Sequence, residues 1–290
     1  MHDRYSTVRG RQLGVRLREL MAERHWGVRE MSRRLDWPPT RISNMFYARR
    51  GTKYVDVVKM LTLMGVVGEE ADEIYALCED IDKFGLVESP LDRRRRRLRT
   101  LENFEAEASS IFAFQSNLIP GFMQTERYCR AQMESSVNLQ GDLEGYVNRR
   151  MKRRDVLDQS QTQFEFVLHE FVLRLDFGGA DLMAEQLYHL LRLVVRPDIS
   201  IRIVPASAGP HVGASGGFAL LEFEEADSVV YIDTEAVNLF LEDPEEIAMY
   251  GNLRRRLREQ ALTETDSRRF ITDLVAELYP ASDEGLQLQF

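Results

Sequence analysis

The sequence predicts a mainly α N-terminal bundle followed by an α+β domain. Three observations carry this. Apolar residues recur at helical spacing through about the first 80 positions, and alternating strand-like runs begin only at about residue 163. Between them, KFGLVESPLD clusters glycine and proline breakers, so the boundary is placed at residue 88, giving domains 1–88 and 89–290.

Leu13, Leu17, Leu20 and Met21 step by four and three, which marks one face of a first helix. After Gly27, a short second helix carries Val28, Met31 and Leu35. Asp36-Trp37-Pro38-Pro39 must break it, because the residue before a proline is steered out of helical geometry. Proline is tolerated in a first helical turn, where its missing N–H has no partner to lose, so a third helix starts near Pro39 with Ile42 and Met45 inward. Val55, Val58, Leu61 and Met64 form a fourth stripe before Gly65, and EEADEIYALCEDID (69–82) forms an acidic fifth.

Beyond the boundary, RRRRRLRTLENFEAEASSIF reads as a basic start running into an acidic helix. A consecutive run such as Arg93–Arg97 winds around every helical face, which suits a solvated or ion-paired segment better than a phosphate-binding one. QFEFVLHEFVLRLDF (163–177) alternates at its start and favours a strand. Residues 181–195 are helical in period, and ISIRIVP, GFALLEF and VVYIDT are strands. PEEIAMYGNLRRRLREQAL opens with helix-start chemistry, and 264–278 is the last helix.

The chain of 290 residues has 44% apolar content, the room for about two globular domains. No run reaches the roughly 20 apolar residues that span a bilayer, and the N-terminus lacks a signal-peptide pattern. Two cysteines, Cys78 and Cys129, stand far apart without metal-ligand spacing, which suits a reducing compartment. The net charge of −9 hides a split. Residues 1–59 hold 14 basic and 6 acidic side chains, residues 60–92 hold 1 and 9, and the rest hold 23 and 32. A basic head on an acidic body suits a head that faces nucleic acid.

Within that head, two short helices joined by a tight turn form the helix-turn-helix pattern. The second helix buries Ile42 and Met45 and leaves Thr40, Arg41, Ser43, Asn44 and Tyr47 for base edges or backbone. Arginine can grip a guanine edge with two hydrogen bonds, and asparagine an adenine edge. Arg49, Arg50 and Lys53 follow as phosphate clamps, and Arg29 sits at a helix start where the dipole also favours phosphate. Phe46 is expected to lean into the bundle or toward a dimer mate.

LGVRLRELMAERHWGVREMSRRLDWPPTRISNMFYARRG resembles the helix-turn-helix of the XRE family of bacterial regulators, through Leu13, Leu17, Leu20, Arg34-Leu35, the turn tryptophan and Ile42-Ser43. It departs from that pattern at Pro38 and Pro39, where Ser and Gln are usual, and at Asn44-Met45-Phe46. FEAEASSIFAFQSNLIPGFMQTERYCRAQM, LHEFVLRLDFGG, AEQLYHLL and the stretch from ISIRIVP to about residue 271 resemble the antitoxin-like C-terminal domain of actinomycete XRE regulators, the WhiJ-like group. The resemblance implies a homodimer on double-stranded DNA, and with the cysteine usage above the expected location is cytoplasmic and nucleoid-associated. The resemblance also implies a C-terminal domain that takes an effector or a small protein encoded by a neighbouring gene, with no cofactor and no membrane.

The C-terminal domain has one enzyme-like stretch, SAGPHVGASGG (207–217). Its glycines could admit an anion, but no lysine completes a phosphate loop, and His169-Glu170 lacks the second ligand one turn away that zinc needs. His211 could act as a base with Glu170, Asp233 or Glu235. Pro120-Gly121 reads as a turn between helices that could shape a pocket with Phe122 and Tyr128. Phe122, Tyr128, Glu170 and His211 are thus the candidates for binding an effector or partner. The expected function is a non-enzymatic, sequence-specific regulator. Its alternatives are an enzyme of unknown reaction, or a partner-sequestering antitoxin, carrying a DNA-binding head.

Overall fold

The computed structural model describes residues 7–47, 52–79, 81–88, 94–135, 142–159, 161–234 and 237–278. Helices α1 (Val8–Glu23), α2 (Val28–Leu35), α3 (Pro39–Phe46), α4 (Tyr54–Met64) and α5 (Glu69–Glu79) come first. They are followed by β1 (Leu86–Glu88), α6 (Arg94–Glu107), β2 (Ser110–Gln115), a tight helical turn at Gly121–Met123, α7 (Glu126–Glu134) and α8 (Leu143–Gln159). Next are β3 (Gln163–His169), the short α9 (Glu170–Arg174), α10 (Ala180–Leu193), β4 (Ile199–Val204) and β5 (Phe218–Glu222). β6 (Val229–Asp233), β7 (Asn238–Leu241), α11 (Pro244–Gln260) and α12 (Glu264–Leu278) complete the order. This is the predicted class: a helical N-terminal part, then a mixed sheet with helices.

The chain forms two compact units, each assembled from separated stretches of sequence. Among the described residues, the first contains those up to Thr100 together with Glu224–Tyr231 and 237–247; the second contains the others.

In the first unit, the Thr7 hydroxyl accepts from the Gly10 N–H at 3.0 Å and so caps α1, while donating to the Ile81 carbonyl at 2.6 Å. The predicted stripe of Leu13, Leu17, Leu20 and Met21 is buried with Met31, Ile42, Met45, Phe46, Met60, Leu61 and Ile74. A Cβ on Gly14 would stand 1.9 Å from the Phe46 carbonyl oxygen, so only glycine lets α1 approach the end of α3 this closely. β1 pairs antiparallel with β7, Leu86 opposite Phe240 and Glu88 opposite Asn238. A segment more than 130 residues away in sequence therefore completes this unit.

The second unit holds strands in the order β5-β2-β3-β4, with β2/β3 and β3/β4 parallel and β2/β5 antiparallel. β2 corrects the helix expected through SSIF. The helix ends at Glu107, and Ile111–Phe114 are buried in succession, as in a strand covered on both faces. A short, continuous apolar run looks the same to periodicity whether it forms a helix or a strand.

Candidate functional site

The head's geometry starts at the turn. α2 ends with Asp36 in the left-handed conformation (φ 54°), and the Trp37 N–H donates to the Ser32 carbonyl at 3.0 Å. Pro38 then precedes α3 and Pro39 occupies its first turn, without a side-chain cap. The double proline is thus placed where it displaces no helical hydrogen bond. α3 buries Ile42, Met45 and Phe46, so Phe46 belongs to the bundle core. Thr40, Arg41 and Tyr47 are exposed, and Ser43 and Asn44 are half-buried on the same helix.

Arg41 has a partner that the sequence did not reveal. Its Nη2 donates to both carboxylate oxygens of the buried Asp56 on α4, at 2.8 and 2.7 Å, and its guanidinium lies 4.2 Å from the Trp37 ring centroid. The side chain remains 43% exposed, so Arg41 joins α3 to α4 while keeping an open side. Arg18 on α1 donates to the Phe46 carbonyl at 2.8 Å, closing the C-terminal end of α3, and lies 5.5 Å from the Tyr47 ring. Both supports are tertiary. Only an acid three residues after Lys53, at the start of α4, hinted at Asp56.

Arg29 is exposed in the first turn of α2 and makes no ion pair among the described residues, whereas its neighbours Arg33 and Arg34 are both held by Glu30. Lys53 is exposed just before α4. Arg49 and Arg50 lie outside the described residues.

The C-terminal candidates divide. Phe122 and Tyr128 are core, which corrects the expectation that they line a pocket. Phe122 packs edge-on against Phe164 (ring centroids 5.6 Å apart). The Tyr128 hydroxyl accepts from the Ile119 N–H at 3.2 Å, and burial pushes its pKa up to about 12. The IPGFMQT segment leads from β2 to α7 instead of joining two helices. Side chains satisfy its buried backbone: Gln186 accepts from the Thr125 N–H at 2.7 Å and donates to the Met123 carbonyl at 2.6 Å, and Gln124 donates to the Ile119 carbonyl at 2.7 Å.

Glu170 and His211 are brought together, through His169. The ring of His211 stacks on that of His169, centroids 4.9 Å apart, and meets the edge of Phe114 at 5.7 Å. Burial, then the neighbouring His169, lowers the His211 pKa. Glu170 accepts from Arg174 at 2.6 Å and from the Ala206 N–H at 2.8 Å. Burial alone would raise its pKa, but these bonds hold it below the ordinary range. Asp233 is exposed, and Glu235 lies outside the described residues. Sequence reasoning dismissed His169 as a metal ligand and did not find it as the ring against His211, since 42 positions separate the two.

Among the described residues no helix is long and apolar enough to cross a membrane, and no cluster of three or more potential metal ligands occurs. No curated protein matches the chain. Among solved structures, the chain aligns with the archaeal chromatin protein TrmBL2, whose structure shows a novel mode of DNA binding. Identity is 14% and the TM-score 0.30, over 71% of this chain and 65% of that one, which is under two thirds of its length. That overlap carries no conclusion about fold or function.

A helix-turn-helix domain model matches residues 12–74, the bundle built around α2 and α3. A second model, for a domain of unknown function (DUF5753), matches residues 98–273, more than half of the chain. The chain belongs to the DUF5753 family and carries a helix-turn-helix domain at its N-terminus.

Proposed function

We propose that the protein is a sequence-specific, homodimeric transcriptional regulator of the XRE type, with a C-terminal domain that responds to a small partner protein or effector and performs no catalysis. One observation carries the reading. Within a helix-turn-helix domain, α3 buries one stripe and leaves Thr40, Arg41, Asn44 and Tyr47 on the other, braced by Asp56 and Arg18. The basic head, with 14 cationic against 6 anionic side chains in residues 1–59, supplies the sequence-independent attraction to phosphate.

Footprinting on the protein's own upstream region is the test. A two-fold dimer protects two half-sites about one duplex turn apart, and log K falls with log salt by about 0.9 per phosphate contact. Equal, weak binding to every fragment with no protected palindrome overturns the reading. Arg41→Ala is expected to relax base choice and Arg49→Ala to weaken all sequences alike. Asp56→Asn keeps Arg41 but releases it, so a change in base preference without uniform loss locates the effect in the positioning of Arg41.

A further inference from the structure

We propose that His169 and His211 form a paired N–H site for a carboxylate, and that its ligand is peptide-like, presenting a free C-terminus or an acidic side chain. This gives a ligand class to the C-terminal domain and rests on the reading of that domain as a partner or effector receptor.

Both imidazoles are held the same way. His169 Nδ1 accepts from the Phe171 N–H at 3.1 Å, and His211 Nδ1 accepts from the Gly213 N–H at 3.2 Å. A neutral imidazole has one donor and one acceptor nitrogen, so committing Nδ1 as acceptor places the proton on Nε2. Neither Nε2 has a protein acceptor among the described residues or is among the fully buried atoms left without one, and both residues are half-buried, which leaves the two N–H groups for a ligand. The rings are 23° from parallel with centroids 4.9 Å apart, and one carboxylate can answer such a pair with its two oxygens.

The supports are rigid. A Cβ on Gly213 would stand 2.3 Å from the Phe114 ring, so the loop bearing His211 rests directly on the sheet through a glycine. Gly209 (φ 70°) and Gly216 (φ 127°) bracket it in conformations that other residues resist. A preset donor pair loses little freedom on binding. The adjacent charges are already compensated: Glu170 is held by Arg174 and the Ala206 N–H, and Arg174 also meets Glu277 at 3.3 Å. Phe171, whose N–H anchors His169, is 49% exposed and offers an apolar surface to a peptide-like ligand. A metal fits poorly, since it needs an unprotonated Nε2, which moves the proton to Nδ1 against a backbone N–H.

The test uses the full chain labelled with ¹⁵N-histidine. Both rings are expected as the Nε2–H tautomer, and N-acetyl-phenylalanine is expected to shift both Nε2 signals saturably while N-acetyl-phenylalanine amide does not. His169→Asn and His211→Asn keep an acceptor for the backbone N–H, so the fold is retained, monitored by its thermal transition, while carboxylate affinity falls at least tenfold. Equal binding of the amide, unchanged affinity in both Asn variants, or Nε2 signals that respond to zinc but not to the carboxylate overturns the proposal. Operator footprinting separates the two readings. A footprint without carboxylate binding sinks this site alone, and carboxylate binding without a footprint sinks the regulator reading alone.

Discussion

Each of the two units buries a glutamate, and the two are satisfied in opposite ways. Glu242, in the first unit, is 6% exposed and accepts from backbone: the Val8 N–H at 2.7 Å and the Gly85 N–H at 2.9 Å. Glu165, midway along β3 in the second unit, is met by side chains: Arg254 at 2.9 Å and Arg258 at 2.6 Å, both from α11. A carboxylate held by backbone ties chain segments together, here the start of α1, the turn before β1, and the end of β7. A carboxylate held by arginines fastens one helix to one sheet. The first arrangement gives the helix-turn-helix head a dependence on residues that the DUF5753 model covers, because 237–247 belongs to both.

The largest expected effect is in the second unit. Glu165→Ala takes one of two carboxylates from Arg254, 18% exposed over Phe112 and still 3.0 Å from Glu222, and removes the carboxylate that holds Arg258; it should cost about 3 kcal/mol, the low end for a broken buried pair because Glu222 remains and Arg258 is half exposed. Equilibrium denaturation measures this, and a loss under 1 kcal/mol would show that the arginines find water instead.

A similar magnitude comes from His189 on α10, which is 8% exposed, has no partner for its Nε2 among the described residues, and has its pKa lowered to about 4 by burial, then by Arg154 and Arg192. A depressed histidine pKa stabilises the fold fully above its unfolded value near 6.5, and that stability is lost as pH falls through 6.5 toward 4. The wild type should therefore lose about 3 kcal/mol between pH 7 and pH 4 that His189→Gln does not lose. Parallel pH profiles for the two proteins would remove His189 from the account.

In the first unit the cost should be smaller but more localised. Glu242→Gln keeps the shape and places an NH2 group against one of two backbone donors, costing about 1–3 kcal/mol for one unmet bond. Amide exchange should speed up at Val8 or Gly85 while amides in α4 stay protected. Uniform acceleration throughout the unit would make Glu242 an ordinary core residue and erase the contrast with Glu165. Burial, opposed by the Val8 and Gly85 bonds and by Arg11, raises the Glu242 pKa, so its ionised form is a net cost that the backbone donors offset only in part.

The bundle was legible because its helices bury stripes at the helical period and end at their own signals: Leu13, Leu17 and Leu20 on α1, Asp36 and the prolines after α2, Gly65 after α4; on α4 the stripe was placed one face off at its start, since Val57 and Met60 are buried there and Val55 is 59% exposed. The face of α3 was legible for the same reason. The supports of that face were not, since Arg41 meets Asp56 and Arg18 meets Phe46 across separate helices. In the second part, β2 escaped notice because a strand buried on both faces has no alternation, and Phe122 and Tyr128 were placed at a pocket because a Pro-Gly turn says nothing about what covers it.

By itself, the sequence determined the helical head, its turn, its basic charge and most elements of the α+β part, since period, breakers and charge are local or additive properties. Only the tertiary structure decided that Glu242 caps α1, that residues 224–247 largely complete the first unit, and that His169 stacks on His211. Those contacts join residues separated by tens to hundreds of positions. They depend on which backbone donors and rings are left unmet once the helices and strands have packed, and no local pattern encodes that remainder.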